Sequence, residues 1–307
     1  MASAREGDRR AVARLVSLVE DSHPALREVM AALAPWAGHA HVVGLTGAPG
    51  VGKSTATNAL VTAYRARGLR VGVLAVDPTS PFSGGALLGD RVRMTEHAAD
   101  PEVFIRSMAS RGHLGGLSWA APQAVRVLDA AGCDVVLLET VGVGQSEVEV
   151  AGSADTTVVL LAPGMGDGIQ AAKAGVLEIA DVLVVNKADR EGAAGTTRDL
   201  RSAVAMGERE DGAWRPPVVR TVATASEGMA ELIAAVTAHR EHLGSDGLRR
   251  RRLRRAAREV EGLALRTLRD RVGGVDGGTG LEALALEVVE GRADAWTAAD
   301  RLLARLG

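Results

Sequence analysis

The run Gly47-Ala48-Pro49-Gly50-Val51-Gly52-Lys53-Ser54 constrains this chain more than any other feature, because an apolar strand-like run at 41–46 leads into it and a helical run at 53–67 leads out. Strand, glycine-rich turn and helix in that order make a phosphate cradle. Glycines let backbone N–H groups converge on a β-phosphate, Lys53 places a point charge between β- and γ-phosphates, and Ser54, followed by Thr55, offers an oxygen to Mg²⁺. The alternative, a glycine-rich turn that only caps a helix, is disfavoured by the flanking strand and helix.

A phosphate cradle does not choose between adenine and guanine, and a second run does. Asn186-Lys187-Ala188-Asp189 directly follows an apolar run ending at Val185. The Asp189 carboxylate can accept from both N1–H and the exocyclic amine of guanine, whereas adenine offers no matching pair of donors. Asn186 is expected to hold the loop and Lys187 to lie along base and ribose; Thr224-Ala225-Ser226, after the last strand-like run, is expected to add a backbone contact through Ala225. GTP and GDP are therefore the expected nucleotides.

Residue usage points to the same places. Of 36 Lys plus Arg, the lysines are Lys53, Lys173 and Lys187, and the asparagines are Asn58 and Asn186. A compact ammonium fits where a broad planar fork does not, so a chain otherwise committed to arginine keeps lysine where that difference matters.

Apolar runs at 41–46, 70–76, 103–108, 134–140, 156–162, 182–185 and 218–223 alternate with helical segments at 53–67, 117–131, 168–179, 190–206 and 228–240. Continuous Val/Leu runs suit parallel strands covered on both faces, which predicts a doubly wound α/β sheet. Helical spacing broken by Pro24 at 8–34 predicts an N-terminal helical extension. Beyond about 246 the pattern becomes a helix to 272, a glycine-rich linker at 273–280 and two short helices to 306. The expected division is 1–40 for the N-terminal extension, 41–245 for the P-loop domain and 246–307 for a C-terminal helical dimerisation region.

Carboxyl ends of parallel strands are where ligands gather in such sheets. Asp77 ends the second run and Glu139 the fourth, while Asp90 follows in Gly89-Asp90-Arg91-Val92-Arg93-Met94; these oxygens suit Mg²⁺ on a bound nucleotide. Asp77 before Pro78 and Asp90 in a polar loop also read as a turn former and a solvated charge. Gly142-Val143-Gly144 lacks the third glycine of a dinucleotide fingerprint and is rejected as one.

Composition excludes several classes. With 47% hydrophobic but only 2% aromatic residues in 307, the core must be aliphatic, and a net charge of -2 gives no general attraction to nucleic acid. The run 249–255 is rich in arginine but has no stacking aromatics, so it reads as a solvated helix face or a contact to an acidic partner. A single Cys133 in apolar surroundings fits a reducing compartment. The start MASAREGDRR leads into no signal-like run, and no apolar stretch is long enough for a membrane; a cytoplasmic protein is expected.

These runs, with Asp77-Pro78-Thr79-Ser80, the 88–94 and 106–112 segments and above all Glu139-Thr140-Val141-Gly142-Val143-Gly144-Gln145-Ser146-Glu147, resemble the methylmalonyl-CoA mutase-associated GTPases of the MeaB or ArgK type, over nearly the whole chain. The resemblance implies a homodimeric SIMIBI-class P-loop GTPase whose nucleotide state gates adenosylcobalamin loading of a cobalamin-dependent acyl-CoA mutase. It implies that Lys53 and Ser54 hold phosphate and Mg²⁺, that Asp77, Asp90 and Glu139 serve metal and attacking water, that Gly142 contacts nucleotide, that Asp90 and Arg93 lie on a first switch, and that Gln170 and Lys173 couple a further switch to the partner. A nickel-site maturation GTPase and a nucleotide-dependent kinase of a transport protein are the alternatives; the scattered histidines show no metal-ligand spacing, and no separate phosphoacceptor residues stand out.

Guanine recognition through Asp189 is directly testable. Calorimetric titration is expected to show binding of GDP and GTP with little binding of ATP, and Asp189→Asn is expected to shift preference toward xanthine nucleotides. Equal affinity of the unaltered protein for ATP and GTP would refute the assignment.

Overall fold

In the computed structural model the described residues are 2–77, 95–97, 99–109, 120–140, 152–164, 177–207, 210, 212–274 and 279–304. Residues through Arg252 form one compact unit and those from Leu253 a second. The first begins with helices α1 (Ala2–Arg5), α2 (Arg9–Glu20) and α3 (Leu26–Leu33), the break between the latter two falling around Pro24. The strands are β1 (His41–Thr46), β2 (Val71–Asp77), β3 (Val103–Ala109), β4 (Val135–Thr140), β5 (Thr156–Leu161), β6 (Val182–Val185) and β7 (Val218–Arg220). Between them lie α4 (Lys53–Arg65), α5 (Ala120–Ala130) and α6 (Ala193–Met206), and α7 (Met229–Gly274) follows β7.

All seven strands are parallel, in the order β3-β2-β4-β1-β5-β6-β7. β1 thus lies centrally, and its two neighbours come from later in the chain. Side chains alternate between the faces of a strand, so each β-branched run feeds two layers at once. Val43, Leu45, Val73, Leu137 and Val158 pack on Ala56 and Leu60 of α4 and on Leu232, Ile233 and Val236 of α7. Val42, Leu74, Val136 and Leu138 pack on Val16 and Val19 of α2 and on Ala121, Ala124 and Leu128 of α5. Each Val, Leu or Ile side chain buried in this way contributes roughly 1.5–3 kcal/mol relative to exposure. The N-terminal helices therefore supply core to the same unit as the sheet, and the C-terminal end of that unit lies at Arg252, seven residues beyond the expected boundary at 245.

Element ends shift where local hydrogen bonding takes over from the apolar pattern. β7 stops at Arg220: Val222 bridges Glu227 antiparallel, and Ala223–Ala225 form a tight turn. The helix expected from 190 starts at Ala193, after a turn through Gly192. Of 168–179, a single turn at Leu177–Ile179 is described and 168–176 lie outside the described residues, as do 117–119. α7 is broken at Gly244, where the backbone leaves the helical region.

The sheet's N-terminal edge carries a buried polar seal that the apolar pattern does not announce. Asp155 and Asp181 precede β5 and β6; Asp155 accepts from Val42 N at 3.1 Å and Asp181 from Thr157 N at 2.7 Å. Arg252 grips Asp155 at 2.7 and 3.2 Å, and Arg251 grips Asp181 at 2.5 and 2.8 Å. His239 completes the seal, 3.2 Å from Asp181 and 2.9 Å from Thr156, whose hydroxyl also meets His41. Two arginines of the 249–255 run are thus spent inside the unit, which corrects the reading of that run as only a solvated or partner-facing face. No helix among the described residues is long and apolar enough to cross a membrane.

In the second unit, α7 continues from Leu253, and α8 (Thr279–Val289) and α9 (Ala295–Ala304) follow. Asp294 accepts from Trp296 N and Thr297 N to cap α9, and Arg301 pairs with Glu287 at 2.7 Å across α8 and α9.

Burial works to raise the Asp181 carboxyl, but hydrogen bonds from His239 and Arg251 outweigh it and hold the group below its ordinary 3.8. A depressed carboxyl stabilises the fold above its unfolded value and loses that contribution as pH falls through the folded value. Asp181→Ala is expected to cost about 3 kcal/mol or more in urea denaturation at pH 7, since it strands Arg251 and His239. The wild type is expected to lose stability below about pH 4, with a shallower loss in the variant; equal stabilities at pH 7 would refute this role.

Candidate nucleotide site

The phosphate loop leaves the C-terminal end of β1, and its path requires glycine at two places. Gly47 has φ +143°, and a Cβ there would sit 2.2 Å from the Leu160 carbonyl oxygen; Gly52 has φ +94°, and a Cβ would sit 2.6 Å from Asn186 Nδ2. Pro49 and Gly50 lie at the exposed rim and Val51 is buried. Lys53, the first residue of α4, is buried, and its ammonium donates to Gly47 O at 2.6 Å and Ala48 O at 3.2 Å. The loop carbonyls thus hold the cation across the loop's own mouth. The α4 N-terminus behind it presents first-turn N–H groups, a ready site for an anion.

Ser54 and Glu139 meet directly: the hydroxyl donates to Oε1 at 2.6 Å. Thr57, one turn along α4, reaches the other oxygen at 2.9 Å and also the Lys53 carbonyl at 3.0 Å. Glu139 is fully buried at the end of β4, in register beside Leu45 of β1. Thr57 was not among the residues expected from sequence; its signal is the helical i+4 spacing from Lys53, which places both on one side of α4. Thr55 is exposed.

Asn186 ties the site together. Its Nδ2 donates to Val51 O at 2.9 Å, while its Oδ1 accepts from Thr221 Oγ1 and Ala223 N, both at 3.1 Å. Lys187 has φ +56° and donates to Gly50 O at 2.6 Å, so its ammonium rests on the phosphate loop. Asp189 is exposed in the turn that follows. Ala225 is exposed beyond β7, but its N–H donates to Val222 O at 2.9 Å, so the expected backbone contact at Ala225 competes with this turn.

The structure therefore brings Gly47 to Ser54, Glu139, Asn186 and Lys187 into one hydrogen-bonded cluster at the C-terminal ends of β1, β4 and β6. Asp77 closes β2 in register with Ala109 of β3. Asp90, Arg93, Gly142, Gln170 and Lys173 lie outside the described residues.

A family model described as methylmalonyl Co-A mutase-associated GTPase MeaB matches residues 12–275. The chain is 48% identical over 303 residues to a candidate GTPase of Pyrococcus abyssi, covering 97% of this chain and 93% of that protein. It is 42% identical over 193 residues to the mouse protein named methylmalonic aciduria type A homolog, mitochondrial, covering 62% of this chain and 46% of the mouse protein. A crystal structure of an LAO/AO transport system kinase superposes with a TM-score of 0.72 at 29% identity, covering 98% of this chain and 94% of the other. With its phosphate cradle on the central strand of a parallel P-loop sheet, this chain belongs to the methylmalonyl Co-A mutase-associated GTPase MeaB family, and it binds guanine nucleotide and hydrolyses GTP.

Proposed function

We propose that this GTPase is a chaperone of a cobalamin-dependent acyl-CoA mutase, methylmalonyl-CoA mutase in the first instance, and that its nucleotide state gates the loading and protection of adenosylcobalamin there. The observation that carries the reading is the match of residues 12–275 to a family described by its association with that mutase. The name of the mouse relative supports it.

The residues of the site take roles on this reading. Lys53 leaves the loop carbonyls for the β- and γ-phosphates and offsets charge that develops as the terminal phosphoryl group departs. Ser54 and Glu139 offer hard oxygens 2.6 Å apart. Mg²⁺ prefers such hard oxygens and fills the rest of its shell with substrate phosphates and water. Bound there, the ion supplies electrostatic stabilisation of the phosphoryl oxygens. Asp77 and Asp90 join Glu139 in serving metal and water, and Asp189 reads guanine. Gly142 contacts the nucleotide, and Arg93, Gln170 and Lys173 form the switch that a partner reads.

Homodimerisation through the second unit is supported by its exposed apolar side chains, which include Leu253, Val260, Leu281, Val289 and Trp296. Such surface in one short segment is characteristic of an interface. Cys133 is buried, and burial pushes its thiol up to about 12, an inert group consistent with a reducing cytoplasm.

The test measures GTP hydrolysis with and without methylmalonyl-CoA mutase, alongside adenosylcobalamin transfer. The mutase is expected to accelerate hydrolysis, and Lys53→Ala and Lys53→Arg to lose at least about a hundredfold in turnover, about 3 kcal/mol. Lys173→Ala is expected to keep GTP affinity within a few fold yet lose the acceleration. No acceleration and no nucleotide-dependent transfer would remove the chaperone role and leave the GTPase; transfer of γ-phosphate to a transport protein would favour a kinase role.

A further inference from the structure

A second concave feature lies at the opposite edge of the sheet from the phosphate loop. A cavity of about 650 Å³ is lined by the N-terminal ends of β1 and β4, the last turn of α4 and one side of α7, all within the first unit. That volume falls in the range of about 300–1,000 Å³ usual for small-molecule sites. Lys53 at the start of α4 and Arg65 at its end are separated by a rise of roughly 18 Å, so the cavity is distinct from the nucleotide site.

The wall carries three arginines against two aspartates. Arg5, Arg67 and Arg240 all line it, and none pairs with a carboxylate among the described residues. Arg5 instead lies over the Trp36 ring, 3.1 Å from its centroid, leaving a planar guanidinium-indole stack at the edge. Two acids also line it, each with its carboxylate tied to backbone: Asp129 accepts from Gly38 N at 2.5 Å, His39 N at 3.1 Å and Ala40 N at 2.9 Å, and Asp134 accepts from Arg70 N at 2.7 Å.

Tyr64 supplies an independent indication. It lines the cavity with its ring buried, and its hydroxyl makes no hydrogen bond to the described residues while keeping contact with solvent, so it is free to donate to a ligand. Burial raises the group well above its ordinary value, so it stays a neutral donor facing the cavity. Val135 and Ile233 give the same wall an apolar part.

We propose that this cavity is a second ligand site, for a small phosphate monoester with an aromatic body. Guanidiniums bind phosphate oxygens through paired, charge-assisted hydrogen bonds. A ring packs against the edge of Trp36, whose face Arg5 covers, and the Tyr64 hydroxyl donates to a phosphate or ester oxygen. Nothing in this site depends on the identity of the GTPase's partner.

The test uses full-length protein saturated with GDP, which closes the phosphate loop to competing anions. Phenyl phosphate, inorganic phosphate and benzyl alcohol are titrated separately by calorimetry. Phenyl phosphate is expected to bind one saturable site at least about tenfold more tightly than either fragment, with a Kd below about 10 mM. Arg67 and Arg240 are exposed, so the double variant Arg67→Gln/Arg240→Gln is expected to fold and to lose at least about tenfold in that affinity while GDP affinity stays unchanged. Tyr64→Phe, which keeps the ring, is expected to weaken phenyl phosphate a few fold with no change in GDP binding. Absence of saturable binding, equal binding of inorganic phosphate, or unchanged affinity in the double variant would each overturn the proposal.

Discussion

The hydrogen bonds of Asn186 are the constraint on which the nucleotide site depends. One amide spans three stretches of backbone: its N–H group reaches the phosphate loop at Val51 O, and its carbonyl oxygen holds Thr221 and Ala223 beyond β7. Asn186 sits directly after β6, whose register on β5 is set by Val158↔Val182 through Leu161↔Val185. The phosphate loop is therefore positioned by the sheet twice, once through β1 and once through β6 by way of this side chain. Gly52 completes the fit, because any Cβ there would occupy the space of Asn186 Nδ2. An aspartate could accept at Oδ1 but could not donate to Val51 O, and a glutamine would overreach, so the residue type follows from the geometry.

Glu139 poses a related problem in electrostatics. A carboxylate with no solvent exposure is costly unless its lone pairs are met by donors. Ser54 and Thr57 supply two hydroxyls from successive turns of α4, tying the end of β4 to the helix that opens the phosphate loop. Hydroxyl donors rotate freely and carry no charge, so they hold the carboxylate without neutralising it.

Much of this was legible in the chain itself, for identifiable reasons. β1 and β6 run over the expected residues because apolar residues are continuous there and the flanking turns are sharp: Gly47 on one side, Asn186 on the other. β7 is shorter than the apolar run at 218–223 because Thr221-Val222-Ala223 has the composition of a strand, and only the pairing of Val222 with Glu227 shows that the chain has already turned. The Lys53, Ser54 and Asn186 positions were readable because spacing in the sequence maps onto spacing in the loop. The sealing network was not readable, since it joins Arg251 and Arg252 to Asp181 and Asp155 across 70 and 97 residues of sequence, and an arginine run looks the same whether it faces water or buried carboxylates. Thr57 was missed for the opposite reason: a threonine inside a helix carries no pattern until a partner such as Glu139 is placed against it.

The division of labour between lysine and arginine follows from what each meets. Lys53 meets Gly47 O and Ala48 O, and Lys187 meets Gly50 O, so both described lysines place a compact ammonium among carbonyl oxygens of one tight loop. Carbonyls splayed around a point suit three donors that rotate about a single nitrogen; a planar fork would need them paired and coplanar. Arg251 and Arg252 meet carboxylates, whose two oxygens match that fork, and each donates through two nitrogens. Arginine is therefore used where the partner is bidentate and fixed. Lysine is kept where the cation rests on the carbonyls of a tight loop, since an ammonium on a four-carbon stem can change partners without moving the backbone that presents it.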